Sequence, residues 1–269
     1  MKSYKEEFDK LLNLIKSKTP FAFARYSDGE VAVLRNKTVV LAEDHFIQED
    51  IYGNQKIYAN TYMPEEQKKF IPEENQKQYN KLVEAFTFKK KNYIKGIIGQ
   101  EALDGNSSWK FCTELYGPKD WENLSFSNVM INGNYPRFIK EILPLFSERD
   151  IVLVANENSK LDKLPFKVKK FYPIGSNCMV NDFNLSKEIG EWIKANDIKD
   201  HLFLFSAATL SNFLCYDLFK EYDNNQYLDI GSSLGPLLQL EGWKSSRTYL
   251  LAYWGNVDHP ILHEEDIWN

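Results

Sequence analysis

Short apolar runs alternate with segments of helical periodicity along most of this sequence, and this alternation limits the possible folds more than any other feature. The clearest apolar run is residues 150–155, and similar runs occupy residues 93–98, 201–205 and 227–230. Strands that alternate with helices usually pair in parallel, because each helix returns the chain to the edge where the previous strand began. The sequence therefore predicts an α/β fold with a mostly parallel sheet and helices on both faces.

No linker, internal repeat or low-complexity tract divides the chain, so a single domain spanning residues 1–269 is the simplest organisation. Residues 43–74 mix aromatic residues, prolines and charges without a clear period, which indicates an insertion that covers the site. Tyr52, Tyr58 and Tyr62 in this insertion could stack on sugars or bases, or could pack half-buried.

Composition argues against several classes of protein. The 33 basic and 38 acidic residues give a net charge of −5, so no nucleic-acid partner is expected. The sequence has no apolar leader and no run of about 20 apolar residues, so we expect a cytoplasmic protein without a transmembrane segment. Cys112, Cys178 and Cys215 are far apart, which predicts reduced thiols in the core. None of these features predicts an oligomeric state.

One predicted strand runs directly into two acidic residues. The buried run 21–24 is followed by Arg-Tyr-Ser-Asp-Gly-Glu at residues 25–30. Ligands of parallel α/β sheets bind beyond the carboxyl ends of the strands. Asp28 and Glu30 could hold a Mg²⁺ or Mn²⁺ ion there together with phosphate oxygens, and Gly29 permits a close backbone approach. The alternative is a solvated turn after a strand.

Other strands also end in small or polar residues, so the carboxyl ends of the sheet should form a polar rim. Backbone N–H groups of the helices that start there could bind an anion. The rim residues and their polar neighbours are Asn156, Glu157, Ser159, Lys160, Ser176, Asn177, Ser206, Ala207, Asp229, Gly231 and Ser232.

Three charged side chains on or beyond this rim each have alternative roles. Asp229 could bind a ribose, bind a metal ion or act as a base, or could cap the turn that it enters. Glu157 has the same kinds of role, and the dense polar group around it favours function. Arg247 could clamp a diphosphate with its planar guanidinium, or could lie on the surface.

Common nucleotide-binding and catalytic motifs are absent. The sequence has no G-x-G-x-x-G at a strand-to-helix turn, no G-x-x-x-x-G-K and no G-x-S-x-G. Its histidines lack zinc-site spacing, and Pro260 between His259 and His263 favours a structural or surface role for that pair.

The order of these segments resembles the bacterial glycosyltransferases of the GT-D fold, whose early motif reads roughly R-[FY]-G-D-G-E. Residues 25–30 here read R-Y-S-D-G-E. Residues 151–159, 204–214, 227–233 and 246–249 fit the same family, so the resemblance covers nearly the whole chain. The resemblance implies a Rossmann-like domain of the GT-D type. It also implies sugar transfer from a nucleotide-sugar donor, commonly a UDP-sugar, to a glycan or glycoconjugate acceptor.

The resemblance assigns Asp28 and Glu30 to the family's D-x-E metal and donor motif. Mn²⁺ or Mg²⁺ would then lie on the donor diphosphate. For the base that deprotonates the acceptor, Glu157 is the first candidate and Asp229 the second. The residues expected to hold the nucleotide sugar are Arg25, Ser27, Asp28, Glu30, Asn156, Ser159, Lys160, Ser176, Asn177, Ser206, Ala207, Gly231, Ser232 and Arg247.

The chain departs from the family pattern at three places. Ser27 stands where a glycine precedes the aspartate, and residues 206–208, Ser-Ala-Ala, replace a glycine-rich turn. Lys160 stands where an arginine is frequent, which keeps the charge but loses bidentate geometry. Two other functions stay open: a noncatalytic nucleotide- or glycan-binding protein of the same fold, and a phosphotransferase that uses the same metal and anion sites.

Overall fold

The computed structural model describes most of the chain up to residue 240. The described residues are 3–42, 45–49, 53–59, 67–99, 105–117, 121–131 and 134–240. The predictions for Tyr52, Tyr62, Arg247 and the pair His259 and His263 lie outside these residues, as does any statement on the side chain of Tyr58. Across the described ranges, no helix has both the length and the apolar character needed to cross a membrane.

A parallel sheet forms the centre of the described structure. In spatial order its strands are β7 (Leu124–Phe126), β6 (Tyr93–Ile97), β1 (Phe21–Tyr26), β11 (Gln226–Asp229), β10 (Leu202–Phe205), β8 (Ile151–Asn156) and β9 (Val168–Ile174). Every neighbouring pair in this order is parallel. The predicted α/β class is therefore confirmed.

Helices cover both faces of this sheet. They are α1 (Tyr4–Lys16), α2 (Asp28–Leu34), α3 (Gln76–Thr87), α4 (Gly105–Tyr116), α5 (Tyr135–Arg137), α6 (Cys178–Asn181), α7 (Leu185–Ala195), α8 (Ala208–Glu221) and α9 (Gly235–Leu238).

Strand β1 packs against helices on both faces of the sheet. Ala22, Ala24 and Tyr26 lie in a hydrophobic cluster with residues of α3, α4, α7 and α8. Phe21 and Phe23 lie in a second cluster with residues of α1. Successive side chains of a strand point to opposite faces, so a strand with apolar residues on both faces must be covered on both sides.

A second, antiparallel sheet lies mainly in the region predicted as an insertion. Its spatial order is β4 (Gln55–Ala59), β3 (His45–Glu49), β2 (Val39–Leu41) and β5 (Lys68–Phe70). Of these four strands, only β2 coincides with a short apolar run of the sequence, Val39–Leu41. The other strands are short, and their exposed positions include large apolar residues such as Ile57, 69% exposed, so no apolar alternation marks them. The single-domain organisation stays a prediction.

Asn177 joins the two sheets. This residue follows β9 and adopts a left-handed conformation with φ of +50°. Its N–H donates to the carbonyl oxygen of Gln67, and its Oδ1 accepts a hydrogen bond of 2.9 Å from the N–H of Lys69. These bonds hold β5 against the carboxyl end of the parallel sheet, where the candidate site lies.

Candidate functional site

A cleft of about 210 Å³ lies at the carboxyl ends of β1, β8, β9, β10 and β11, and β5 of the small sheet closes its opposite side. This is the position at which parallel α/β sheets bind ligands. The predicted residues that line this cleft are Arg25, Ser27, Asp28, Glu30, Asn156, Asn177, Ser206, Ala207, Gly231 and Ser232. Tertiary structure thus brings together residues up to about 200 positions apart in the sequence.

The two acidic residues after β1 have different environments. Glu30 is 8% exposed, and its Oε2 accepts a hydrogen bond of 3.1 Å from the N–H of Ser27. Its Oε1 accepts a second bond of 2.9 Å from the hydroxyl of Thr209, the second residue of α8. Asp28 is exposed at the cleft. Glu30 therefore braces the turn against α8, and Asp28 is the carboxylate that is exposed at the cleft.

Asp229 lies below the cleft at the end of β11. It is 4% exposed, its Oδ2 accepts a hydrogen bond of 3.0 Å from the N–H of Arg25, and its Oδ1 accepts one of 3.0 Å from the N–H of Gly231. Burial raises the pKa of this carboxyl to about 7, and the charge and N–H of Arg25 oppose the shift. The carboxylate thus ties β1 to the turn after β11.

Arg25 and Gly231 form the floor of the cleft. Gly231 has φ of +48°, and a Cβ at this position would lie 1.4 Å from Nη1 of Arg25. The guanidinium also donates through Nε to the carbonyl oxygen of Ser127, and Asn212 Nδ2 donates 2.7 Å to the carbonyl oxygen of Arg25. Residue 231 favours glycine, because its backbone is left-handed and a side chain there would have to displace the guanidinium of Arg25.

The turn before α8 has Ser-Ala-Ala at residues 206–208 in place of a glycine-rich sequence, and one of these alanines adopts an unfavourable backbone conformation. Ala208, the first residue of α8, has φ of +43°, a region that glycine adopts more readily than alanine. Ser206 Oγ donates 2.8 Å to the carbonyl oxygen of Gly231, and the N–H of Ala207 donates 3.1 Å to Ser211 Oγ. The N–H of Ala207 is therefore already used within the turn.

Several predicted site residues lie near the cleft without lining it. Glu157 is exposed, and its Oε1 would lie 3.8 Å from a Cβ at Gly175, which does line the cleft. The N–H of Lys160 donates 2.9 Å to the carbonyl oxygen of Leu238, away from the cleft lining. Three further predicted site residues that the structure describes do not line the cleft: Ser159, Ser176 and Asp229.

The small sheet contributes cleft residues that no motif in the sequence marks. Gln67, Lys68 and Lys69 line the cleft together with Phe70, which is 2% exposed. Thr209 also supports the site, because its hydroxyl donates a hydrogen bond to Glu30. No spacing within residues 43–74 predicts these positions, because they reach the cleft only through the pairing of β5 with β2 and its contact with Asn177.

The donor set at this site matches a cation that is shared with a ligand rather than one held by protein alone. Among the described residues, no group of three or more His, Cys, Asp or Glu side chains could hold a metal ion. Mg²⁺ is commonly bound through one or two carboxylates together with substrate phosphates and water. Exposed Asp28 fits that mode, and braced Glu30 supports the turn that carries it.

Solved structures match this fold, although neither a protein-family model nor a curated protein sequence matches the chain. A structure of the domain of unknown function 1792, described as having a distinct glycosyltransferase fold, is similar over 91% of this chain and 86% of its own, with a TM-score of 0.51 and 12% identity. The chain therefore shares the fold of that domain. A selenomethionine-substituted structure of that domain is similar over the same shares, with a TM-score of 0.51 and 13% identity.

A third structure, described as a new glycosyltransferase of this domain type from Streptococcus sanguinis, is similar over 84% of this chain and 80% of its own. Its TM-score is 0.48 and its identity to this chain is 14%. The two matches with a TM-score of 0.51 confirm the fold class that the GT-D resemblance implied.

Proposed function

We propose that this protein is a glycosyltransferase that moves a sugar from a nucleotide-sugar donor, with a UDP-sugar as the first expectation, to a glycan or glycoconjugate acceptor. The observation that carries the proposal is the cleft at the carboxyl ends of the parallel strands, where exposed Asp28 and the basic residues Arg25 and Lys68 meet in a glycosyltransferase fold. A negatively charged diphosphate, with or without a bound cation, is complementary to this set of charges.

Asp28 would hold Mn²⁺ or Mg²⁺ together with phosphate oxygens of the donor, as the D-x-E resemblance implies. When bound, such an ion neutralises charge on the departing diphosphate. Glu30 would act through the turn: its bonds to Ser27 and Thr209 fix the backbone that carries Asp28.

Glu157 is the better of the two proposed bases. Its carboxylate is exposed beside the cleft wall at Gly175, so an acceptor hydroxyl can approach it. The Asp229 carboxylate is buried and already accepts hydrogen bonds from two backbone N–H groups. Use of Asp229 as a base would require those bonds to break at the floor of the cleft.

A donor screen tests this function. Purified protein is incubated with UDP-, GDP- and CMP-sugars in the presence of Mn²⁺, and the released nucleotide is measured. We expect release from one donor class, because many glycosyl donors are hydrolysed slowly by water when no acceptor is present. Release that is lost in Asp28→Asn supports a transferase, whereas tight nucleotide binding without release favours a noncatalytic binding protein. Absence of both release and nucleotide binding would overturn the proposal.

A further inference from the structure

Lys68 brings a positive charge to the turn that carries Asp28. The residue is half-buried in the cleft, and a Cβ placed on Gly29, between Asp28 and Glu30, would lie 3.6 Å from the Lys68 Nζ. The ammonium group therefore lies against the backbone of the D-x-E segment, although β5 belongs to the other sheet.

The backbone on both sides of Lys68 is fixed to the parallel sheet. The carbonyl oxygen of Gln67 accepts from the N–H of Asn177, and the N–H of Lys69 donates to Asn177 Oδ1. Lys68 is also in register with Leu41 of β2. Asn177 thus holds the backbone on both sides of Lys68 at the edge of the cleft.

The neighbouring lysine has a different environment. Lys69 is exposed, and its Nζ lies 2.8 Å from Oε2 of Glu74. Successive side chains on a strand point to opposite sides, which separates the two ammonium groups. Both lysines border the cleft, but Lys68 is half-buried with its Nζ beside the backbone of Gly29, whereas Lys69 is exposed, so we expect Lys68 to be the lysine that contacts a bound anion.

We propose that Lys68 contacts the diphosphate of the donor and stabilises it as the leaving group. This inference rests on the proposed glycosyltransferase function and assigns a residue that the D-x-E motif does not include. In the transfer, the bond between the anomeric carbon and the diphosphate oxygen breaks, and its electron pair stays on that oxygen. The acceptor oxygen forms the new bond to the anomeric carbon and its proton passes to the base. A fixed ammonium group stabilises the negative charge that develops on the departing oxygen.

The test measures binding of UDP, GDP, ADP and CDP to the wild type in the presence of MgCl₂, followed by the matching nucleoside for the tightest diphosphate. We expect Lys68→Ala to weaken binding of that diphosphate by about tenfold or more, because a charge-assisted contact is lost. Binding of the nucleoside should stay within about twofold of the wild type, since it has no phosphate. Lys68→Arg, which keeps the charge, should recover part of the lost affinity.

Lys187→Ala is the control, with an expected change of less than about threefold in diphosphate affinity, because Lys187 is an exposed residue of α7 that does not line the cleft. The thermal unfolding midpoint of each variant shows whether it is folded. Wild-type affinity for the diphosphate in Lys68→Ala would overturn the inference and leave the proposed function standing. Equal loss of nucleoside and diphosphate binding would also overturn it. If the wild type binds none of the diphosphates, this inference fails, and the donor screen, which also includes CMP-sugars, decides the proposed function separately.

Discussion

The guanidinium of Arg25 occupies the space that any side chain at Gly231 would need. A Cβ at Gly231 would lie 1.4 Å from Nη1 and 2.6 Å from Cζ of Arg25. Arg25 lies near the end of β1, Gly231 follows the neighbouring parallel strand β11, and Asp229 bonds to the N–H of both. The floor of the cleft is thus a single unit in which backbone conformation, a buried carboxylate and a cation depend on one another.

Gly231→Ala should therefore destabilise the protein and disturb the cleft. We expect the free energy of unfolding to fall by at least about 2 kcal/mol, from the left-handed backbone and the overlap with Arg25. Urea unfolding measures this change. Gly117→Ala is the control, because Gly117 also has a positive φ, +87°, but an added Cβ there would lie 4.0 Å from Lys89 Nζ, an ordinary contact distance. Equal losses in the two variants would contradict the proposed role of the overlap.

The carboxylates Asp28 and Glu30 should give different results when they are neutralised. Asp28→Asn should lower donor turnover by about a hundredfold with stability within about 0.5 kcal/mol of the wild type, because the side chain is exposed. Glu30→Gln should lower the free energy of unfolding by about 1–2 kcal/mol, since one of its two buried hydrogen bonds meets an amide donor instead of a carboxylate. Turnover assays and urea unfolding of both variants test this difference. A stable Glu30→Gln variant that alone loses turnover would contradict it.

Glu157→Gln should slow transfer to an acceptor by about 10²- to 10⁴-fold, the range expected for loss of a general base. The fold should be unaffected because the side chain is exposed. Initial rates with the donor and acceptor identified by the screen measure the effect. Glu191→Gln, a change in an exposed carboxylate on α7, is the control. Near-normal transfer by a folded Glu157→Gln variant would remove Glu157 as the base.

Asp229 should make the protein less stable as the pH rises toward neutrality. Burial raises the pKa of this carboxyl in the folded state from 3.8 to about 7, so between these values the folded state binds more protons than the unfolded state. Its contribution to stability therefore decreases with rising pH and becomes constant above the folded-state pKa.

Urea unfolding of the wild type and Asp229→Asn across this pH range should reveal that contribution. The stability difference, wild type minus variant, should decrease from low pH to neutral pH. Asp162→Asn, a change in an exposed carboxylate, is the control. A difference between wild type and Asp229→Asn that does not vary with pH would contradict the raised pKa.

Ala208→Gly should preserve or increase stability, although the same substitution usually weakens a helix. Ala208 has φ of +43°, which costs an alanine about 1–2 kcal/mol relative to glycine and offsets the greater chain entropy of glycine when unfolded. Ala85→Gly within α3 is the control and should lower stability by about 1 kcal/mol or more. Thermal and urea unfolding measure both. Similar losses in the two variants would show that residue 208 carries no strain.

Much of the parallel sheet was predictable because its strands are apolar at nearly every position. Residues 150–155 predicted β8, Ile151–Asn156, and residues 201–205 predicted β10, Leu202–Phe205. The polar residues at the ends of β1, β8, β10 and β11 were also predicted to meet on one rim, since parallel strands share the direction of their carboxyl ends. Most of the predicted rim residues do line one cleft.

The sequence by itself determined the α/β class, the edge of the sheet that carries the site and the D-x-E segment, because these depend on local apolar runs and chain direction. Tertiary structure alone decided which of the two acids is exposed at the cleft and which is buried. Asp28 and Glu30 are two residues apart, yet only Glu30 meets the hydroxyl of Thr209. Tertiary structure also decided that Lys68 lies beside Asp28 and Glu30. Strand β5 reaches the cleft through hydrogen bonds to Asn177, which is more than a hundred residues away in the sequence. Such contacts depend on how the two sheets pack, which no local pattern encodes.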